Sequence, residues 1–215
     1  MRPRPVKGAA DKIAAHPERV VSIGREETVD LLSRLPGTGP RHLEIGAGKG
    51  AFIQTMGQHH PTTRFIAVEK FDHAIVKLLD KLLETPLPNV LAVRADAMDL
   101  ARCLPAHCID RIYLNFSDPW PKARHAKRRL THPDFLTLYQ AWLVQGGDLV
   151  FKTDNRKFFE ESICHFSQNG WSITALSLDL HADQDPENVM TEFEARFSQL
   201  GPIYRLTAKP KEAHA

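Results

Sequence analysis

Three glycines fall within five residues in Leu43-Glu44-Ile45-Gly46-Ala47-Gly48-Lys49-Gly50, behind an apolar stretch and two residues after an acid. Glycines so spaced make a tight turn that lets a ligand approach the backbone, and such turns follow strands in open α/β sheets. The third glycine comes one residue too early for the G-x-G-x-x-G dinucleotide pattern. Glu44 sharpens the reading, because a carboxylate there repels a pyrophosphate and suits a cation. Glu69 lies 19 residues after Gly50, where an acid takes the ribose hydroxyls of an adenosine compound. Asp96, in Arg94-Ala95-Asp96-Ala97, is placed either to accept from an adenine amino group or to cap a helix. Acids at three successive strand ends, with Gly46 and Gly48 between them, fit S-adenosylmethionine. That molecule has a sulfonium, an ammonium and no phosphate.

A second chemical segment runs from Tyr113 to Arg129. Two prolines bracket a tryptophan in Asp118-Pro119-Trp120-Pro121, which stiffens the loop and holds Asp118 and Trp120 in place. A buried tryptophan packing a rigid turn explains Trp120 alone. It explains neither Asp118 nor the cations that follow: Lys122, Arg124, Lys127, Arg128 and Arg129, with His125 and His132 and no acid. The whole chain is nearly neutral at +2, and without those five cations the rest stands at −3. A local positive patch on a near-neutral protein suits contact with a polyanion, although a solvated surface face reads the same way. Residues 1–20 hold a second basic excess, Arg2, Arg4, Lys7, Lys12 and Arg19 against Asp11 and Glu18. They read as a loosely ordered arm.

These residues need elements to position them. Arg41–Ile45, Arg64–Glu69, Asn89–Arg94, Ile109–Asn115 and Gly147–Lys152 read as strands, with Trp171–Leu180 and Ile203–Ala208 as final ones. Helices are expected over Lys49–His60, Phe71–Glu84, Pro133–Val144 and Arg156–Gln168. The run Phe-Ile-Ala-Val inside Arg64–Glu69 is apolar throughout, as in a strand buried on both faces. Alternating strands and helices predict a doubly wound α/β domain over residues 21–215, with a mostly parallel seven-stranded sheet and one antiparallel edge strand. At 215 residues, 42% hydrophobic and 25% charged, the chain has the balance of an ordinary globular protein. No apolar run approaches a membrane span, and the first eight residues have no apolar core of a leader, so a cytoplasmic protein is expected. Cys103, Cys108 and Cys164 form no C-x-x-C, and neither a disulfide frame nor a metal site is expected. The sequence leaves monomer and homodimer open.

Glu44 to Gly50, the Asp118-Pro119-Trp120-Pro121-Lys122 core with Arg124-His125 and Lys127-Arg128-Arg129, and Thr191-Glu192-Phe193-Glu194-Ala195-Arg196-Phe197 together resemble the bacterial tRNA (guanine-N7)-methyltransferases. The resemblance spans about residues 40–208, and its middle motif is the most specific; residue 117 is Ser where many members carry Pro. It implies a Rossmann-like class I methyltransferase fold and transfer of a methyl group to N7 of a tRNA guanosine, one in the variable loop. It further implies that Glu44, Glu69, Asp96 and Asp118 contact S-adenosylmethionine, with Asp118 as the catalytic residue. Lys122, Asp154, Thr191, Glu192, Phe193 and Glu194 would line the guanosine site. Arg124, His125, Lys127, Arg128 and Arg129 would grip the RNA. Without the resemblance, Asp154 reads equally as a helix N-cap and Thr191–Glu194 as a capped helix start.

Guanine N7 has an in-plane lone pair and no proton, so its methylation calls for alignment and nearby negative charge rather than a base. Asp118 and Glu194 are the expected acceptors for the guanine N1–H and amino group. Three other readings compete. A methyltransferase acting on an exocyclic amine is faintly suggested by Ser117-Asp118-Pro119-Trp120. A nicotinamide-dependent oxidoreductase is opposed by Glu44 and the glycine spacing. A non-catalytic RNA-binding protein has no use for the strand-end acids.

Overall fold

The computed structural model describes residues 6–211. The chain divides into two compact units, residues 1–105 and 106–215. The first unit contains α1 (Ala9–Ala14), β1 (Val20–Ser22), β2 (Arg41–Ile45), α2 (Ala51–His59), β3 (Arg64–Glu69), α3 (Asp72–Glu84) and β4 (Val90–Arg94). A 3₁₀ turn over Ala97–Arg102 follows. Its strands lie in the order β1-β4-β3-β2, and every pairing is parallel.

All six residues of β3 are buried, as its unbroken apolar run predicts for a central strand covered on both faces. In α3, Ile75, Leu78, Leu79 and Leu82 repeat at helical spacing, and each is 0% exposed. Burying a side chain of this size stabilises the fold by roughly 1.5–3 kcal/mol, so this one stripe fastens α3 firmly. Each strand of β2, β3 and β4 therefore ends at a defined place, which sets the positions of Glu44, Glu69 and Asp96.

The second unit contains β5 (Ile109–Asn115), α4 (Pro133–Trp142), β6 (Leu143–Thr153), α5 (Arg156–Gln168), β7 (Trp171–Ser177), α6 (Glu192–Phe197) and β8 (Tyr204–Pro210). A 3₁₀ turn over Ala123–Arg128 precedes α4. The strand order is β5-β6-β8-β7. β5 and β6 are parallel, while β8 runs antiparallel to both β6 and β7. The core of this unit is aromatic: Phe151, Phe158, Phe159, Phe166 and Trp171 are all buried, and Phe151 packs against Phe158 and Phe159.

The architecture differs from expectation in three respects. Among the described residues there are eight strands, not seven, because β1 is a three-residue strand paired with β4. A strand that short carries no periodic signal. The antiparallel strand is not at an edge, since β8 is inserted between β6 and β7. The supposed loose arm contains α1, whose Ala9 and Ile13 are buried four residues apart on one face. Lys12 of α1 pairs with Asp80 of α3 at 2.5 Å. Arg2 and Arg4 lie outside the described residues.

Candidate active site

In the first unit, the turn after β2 is tied to the end of β3. The Gly46 and Ala47 amides both donate to the Val68 carbonyl, at 2.8 and 2.9 Å. Gly46 and Gly48 adopt φ of 83° and 56°, a left-handed conformation in which a side chain is strained. A Cβ added at either would meet nothing within 4 Å, so open space lies over this backbone. Gly50 has a different role: a Cβ there would come within 2.3 Å of Leu78 Cδ1, so its small size lets α2 and α3 pack.

Glu69 is buried at the end of β3 and braces the turn. Its Oε2 accepts from the Gly48 amide at 3.0 Å and its Oε1 from the Phe71 amide at 2.9 Å. A carboxylate has about four lone-pair sites, so two remain for a ligand's hydroxyls. Glu44 is buried within β2, two residues before Gly46. Asp96 is half-exposed and caps the 3₁₀ turn by accepting from the Met98 amide at 3.2 Å, with Lys70 Nζ 3.8 Å from its other oxygen. The capping reading of Asp96 is thus realised, and one oxygen remains turned to solvent beside Lys70.

In the second unit, the chain leaves β5 through Phe116, whose amide donates to the Lys152 carbonyl of β6 at 2.9 Å. Asp118 follows as an exposed carboxylate. Trp120 is flanked by the His125 ring, edge-on at 5.6 Å, and by the Arg128 guanidinium, 5.0 Å from the ring centroid. The 3₁₀ turn Ala123–Arg128 buries no residue, so Arg124, Lys127 and Arg128 face solvent from one short element. Lys122 is exposed just ahead of it, and its carbonyl accepts from the His125 amide at 2.8 Å. Asp154 is exposed at the end of β6. It does not cap α5, because Asn155 does so by accepting from the Phe158 amide at 2.9 Å.

Two expected site residues are placed elsewhere. Arg129 is buried, and its guanidinium is bonded within the protein, so its side chain does not share the solvent exposure of Arg124, Lys127 and Arg128. Glu194 is 0% exposed. Its Oε2 pairs with Lys152 Nζ at 2.6 Å, and its Oε1 accepts from Asn188 Nδ2 at 2.8 Å, with His181 Nε2 at 3.2 Å. Thr191 and Glu194 complete a capping box at the start of α6, with the Glu194 amide donating to Thr191 Oγ1 at 2.9 Å. Glu194 therefore organises its own segment, with both carboxylate oxygens engaged inside the protein. Glu192 and Phe193 remain exposed on α6, where Phe193 stacks on Phe197 and lies 5.0 Å from the Phe116 ring.

Lys152 is the residue that the sequence reading missed. It is buried on β6 and also donates to Asn188 Oδ1 at 3.1 Å and to the Val189 carbonyl at 3.0 Å. A lysine inside the apolar run Leu149–Thr153 is the sequence's sign of a buried partner. The same segment is held from β8, where the Arg205 guanidinium pairs with Asp185 and keeps its carboxyl below the usual range. Among the described residues, no group of three or more His, Cys, Asp or Glu could hold a metal ion, and no helix is long and apolar enough to cross a membrane.

Residues 38–206 match the family model Methyltransf_4, described as "Putative methyltransferase". A tRNA (guanine-N(7)-)-methyltransferase of Exiguobacterium sp. strain AT1b is 51% identical over 175 residues, covering 80% of this chain and 81% of that protein. The protein of the same name from Geobacillus thermodenitrificans is 47% identical over 209 residues, 97% of each chain. Among solved structures, the 16S rRNA methyltransferase KamB superposes with a TM-score of 0.65 at 17% identity, over 90% of this chain and 99% of that one, a likeness of fold. This is the Rossmann-like class I methyltransferase fold, whose members use S-adenosylmethionine as methyl donor. With sequence identity near one half along almost its whole length, the chain belongs to the tRNA (guanine-N(7)-)-methyltransferase family.

Proposed function

We propose that this protein transfers a methyl group from S-adenosylmethionine to N7 of a guanosine in tRNA, the variable-loop guanosine by family resemblance, and that it does so in the cytoplasm. The observation that carries the reading is an exposed carboxylate, Asp118, on a braced loop that leads directly into an exposed cationic turn. The family match runs through both compact units, which supports one catalytic domain over residues 21–215.

The first unit supplies the donor half. Open space over Gly46 and Gly48, and the free lone pairs of Glu69, fit the methyl donor. Glu69 takes ribose hydroxyls, the outer oxygen of Asp96 takes the adenine amino group, and Glu44 adds negative charge that favours a cationic ligand. When bound, S-adenosylmethionine supplies an electrophilic methyl on a sulfonium with a neutral thioether as leaving group. The second unit supplies the acceptor half. Asp118 and Asp154 accept from the guanine N1–H and amino group, an arrangement adenine cannot satisfy. Lys122, Thr191, Glu192 and Phe193 line the same site. Arg124, Lys127 and Arg128, with His125, hold phosphates and fix the RNA register without reading sequence. No residue is needed as a base. As N7 gains positive charge, the Asp118 carboxylate stabilises it.

Incubation with labelled S-adenosylmethionine and unmodified bulk tRNA, followed by nucleoside analysis, checks this directly. The expected product is 7-methylguanosine alone. A methylated exocyclic amine on guanine or adenine identifies a different methyltransferase reaction.

A further inference from the structure

Arg129 stands last in the run Lys127-Arg128-Arg129, yet its side chain is only 9% exposed. Its Nε donates to the Pro119 carbonyl at 2.8 Å, its Nη2 to the Trp120 carbonyl at 3.0 Å, and its Nη1 to Glu161 of α5 at 2.5 Å. A phosphate ligand must turn its fork outward; this fork is turned inward and divided among three acceptors. Both carbonyls belong to the two residues directly after Asp118.

That loop needs an outside brace. Phe116 and Trp120 adopt φ of 52° and 41°, left-handed values that a large side chain holds only where its surroundings impose them. Pro119 and Pro121 have no N–H, so the loop has few donors of its own with which to close a turn. The Arg129 guanidinium meets two successive carbonyls and Glu161 with separate N–H groups held in one rigid plane, a geometry that the single nitrogen of a lysine does not reproduce. Glu161 holds that guanidinium from α5.

We propose that Arg129 is a positioning residue for methyl transfer: held by Glu161, it fixes the Pro119–Trp120 backbone so that Asp118 points at the substrate, and it does not bind RNA phosphate. This rests on the role given to Asp118 above.

Three variants test it: Arg129→Ala, Arg129→Lys and Glu161→Gln. For each, the single-turnover rate is measured with both substrates saturating, and tRNA affinity across a salt series. Acrylamide quenching of tryptophan fluorescence is followed in parallel. Trp142 and Trp171 are each 1% exposed, so quenching reports on Trp120. Arg129→Ala is expected to slow transfer roughly 10- to 100-fold, since small misplacements at a reacting centre cost that much. It should raise quenching and leave the salt slope of tRNA binding unchanged. Arg129→Lys should restore only part of the rate. Glu161→Gln should also slow transfer, with the salt slope unchanged.

A saturated Arg129→Ala rate equal to wild type, with a salt slope smaller by roughly 0.7–0.9, would overturn the proposal and make Arg129 a phosphate ligand. If Arg129→Ala does not fold, Glu161→Gln decides: removing an acid beside a phosphate-binding arginine tightens RNA binding without slowing transfer, and that result also overturns it. Absence of transfer by the wild-type protein is a separate outcome that defeats the underlying function.

Discussion

Guanine N7 has nothing to deprotonate, so a carboxylate beside it acts through charge and orientation. Asp118 is exposed, and the two carbonyls after it are gripped by Arg129, so its position is fixed while its charge stays free for substrate. Asp118→Asn keeps the shape and one acceptor oxygen, but it loses the charge opposite a developing cation and sets an amide donor against guanine donors. Single-turnover transfer should fall by roughly two to three powers of ten, the cost of removing a preorganised electrostatic group. Asp118→Ala should be at least as damaging. A wild-type rate for Asp118→Asn would remove this carboxylate from the reaction.

Between elements, the connection that matters most is the buried pair joining β6 to the start of α6. Lys152 and Glu194 are 4% and 0% exposed in their side chains, and Asn188 bonds to both. Breaking such a pair strands a buried charge. Lys152→Met should therefore destabilise the fold by roughly 3–5 kcal/mol, and much of that should return in the double variant with Glu194→Gln. Denaturant midpoints of the single and double variants measure this coupling. Strictly additive costs would mean that the pair is not coupled.

This pair also shows how far the sequence could be read. Thr191-Glu192-Phe193-Glu194 is legible as a capping box because the partners are three residues apart, and α6 starts there. Lys152 lies 42 residues from Glu194, a separation that no local pattern encodes. The strands β2 to β6 are legible for the opposite reason, since continuous apolar runs and helical spacing are local signals. Their ends carry Glu69 and Asp96, so the placement of these two acids is legible as well. Arg128 and Arg129 are adjacent and chemically identical, and only the end of the 3₁₀ turn sends one to solvent and the other inward.

At the scale of the molecule, a net charge of +2 conceals a division of labour. Acids gather at the strand ends of the first unit, and exposed cations gather on one turn of the second. In the proposed function the acids suit a cationic methyl donor and the exposed cations suit a polyanion. The proposed reaction acts on a single atom of one base, N7. Transcripts of the same tRNA made with guanosine or with 7-deazaguanosine, in which a C–H replaces N7, test that claim most directly. Both should compete equally for binding, because phosphates and RNA shape carry most of the affinity. Label from S-adenosylmethionine should enter the guanosine transcript and not the 7-deaza one. Equal labelling of the two would contradict methylation at N7.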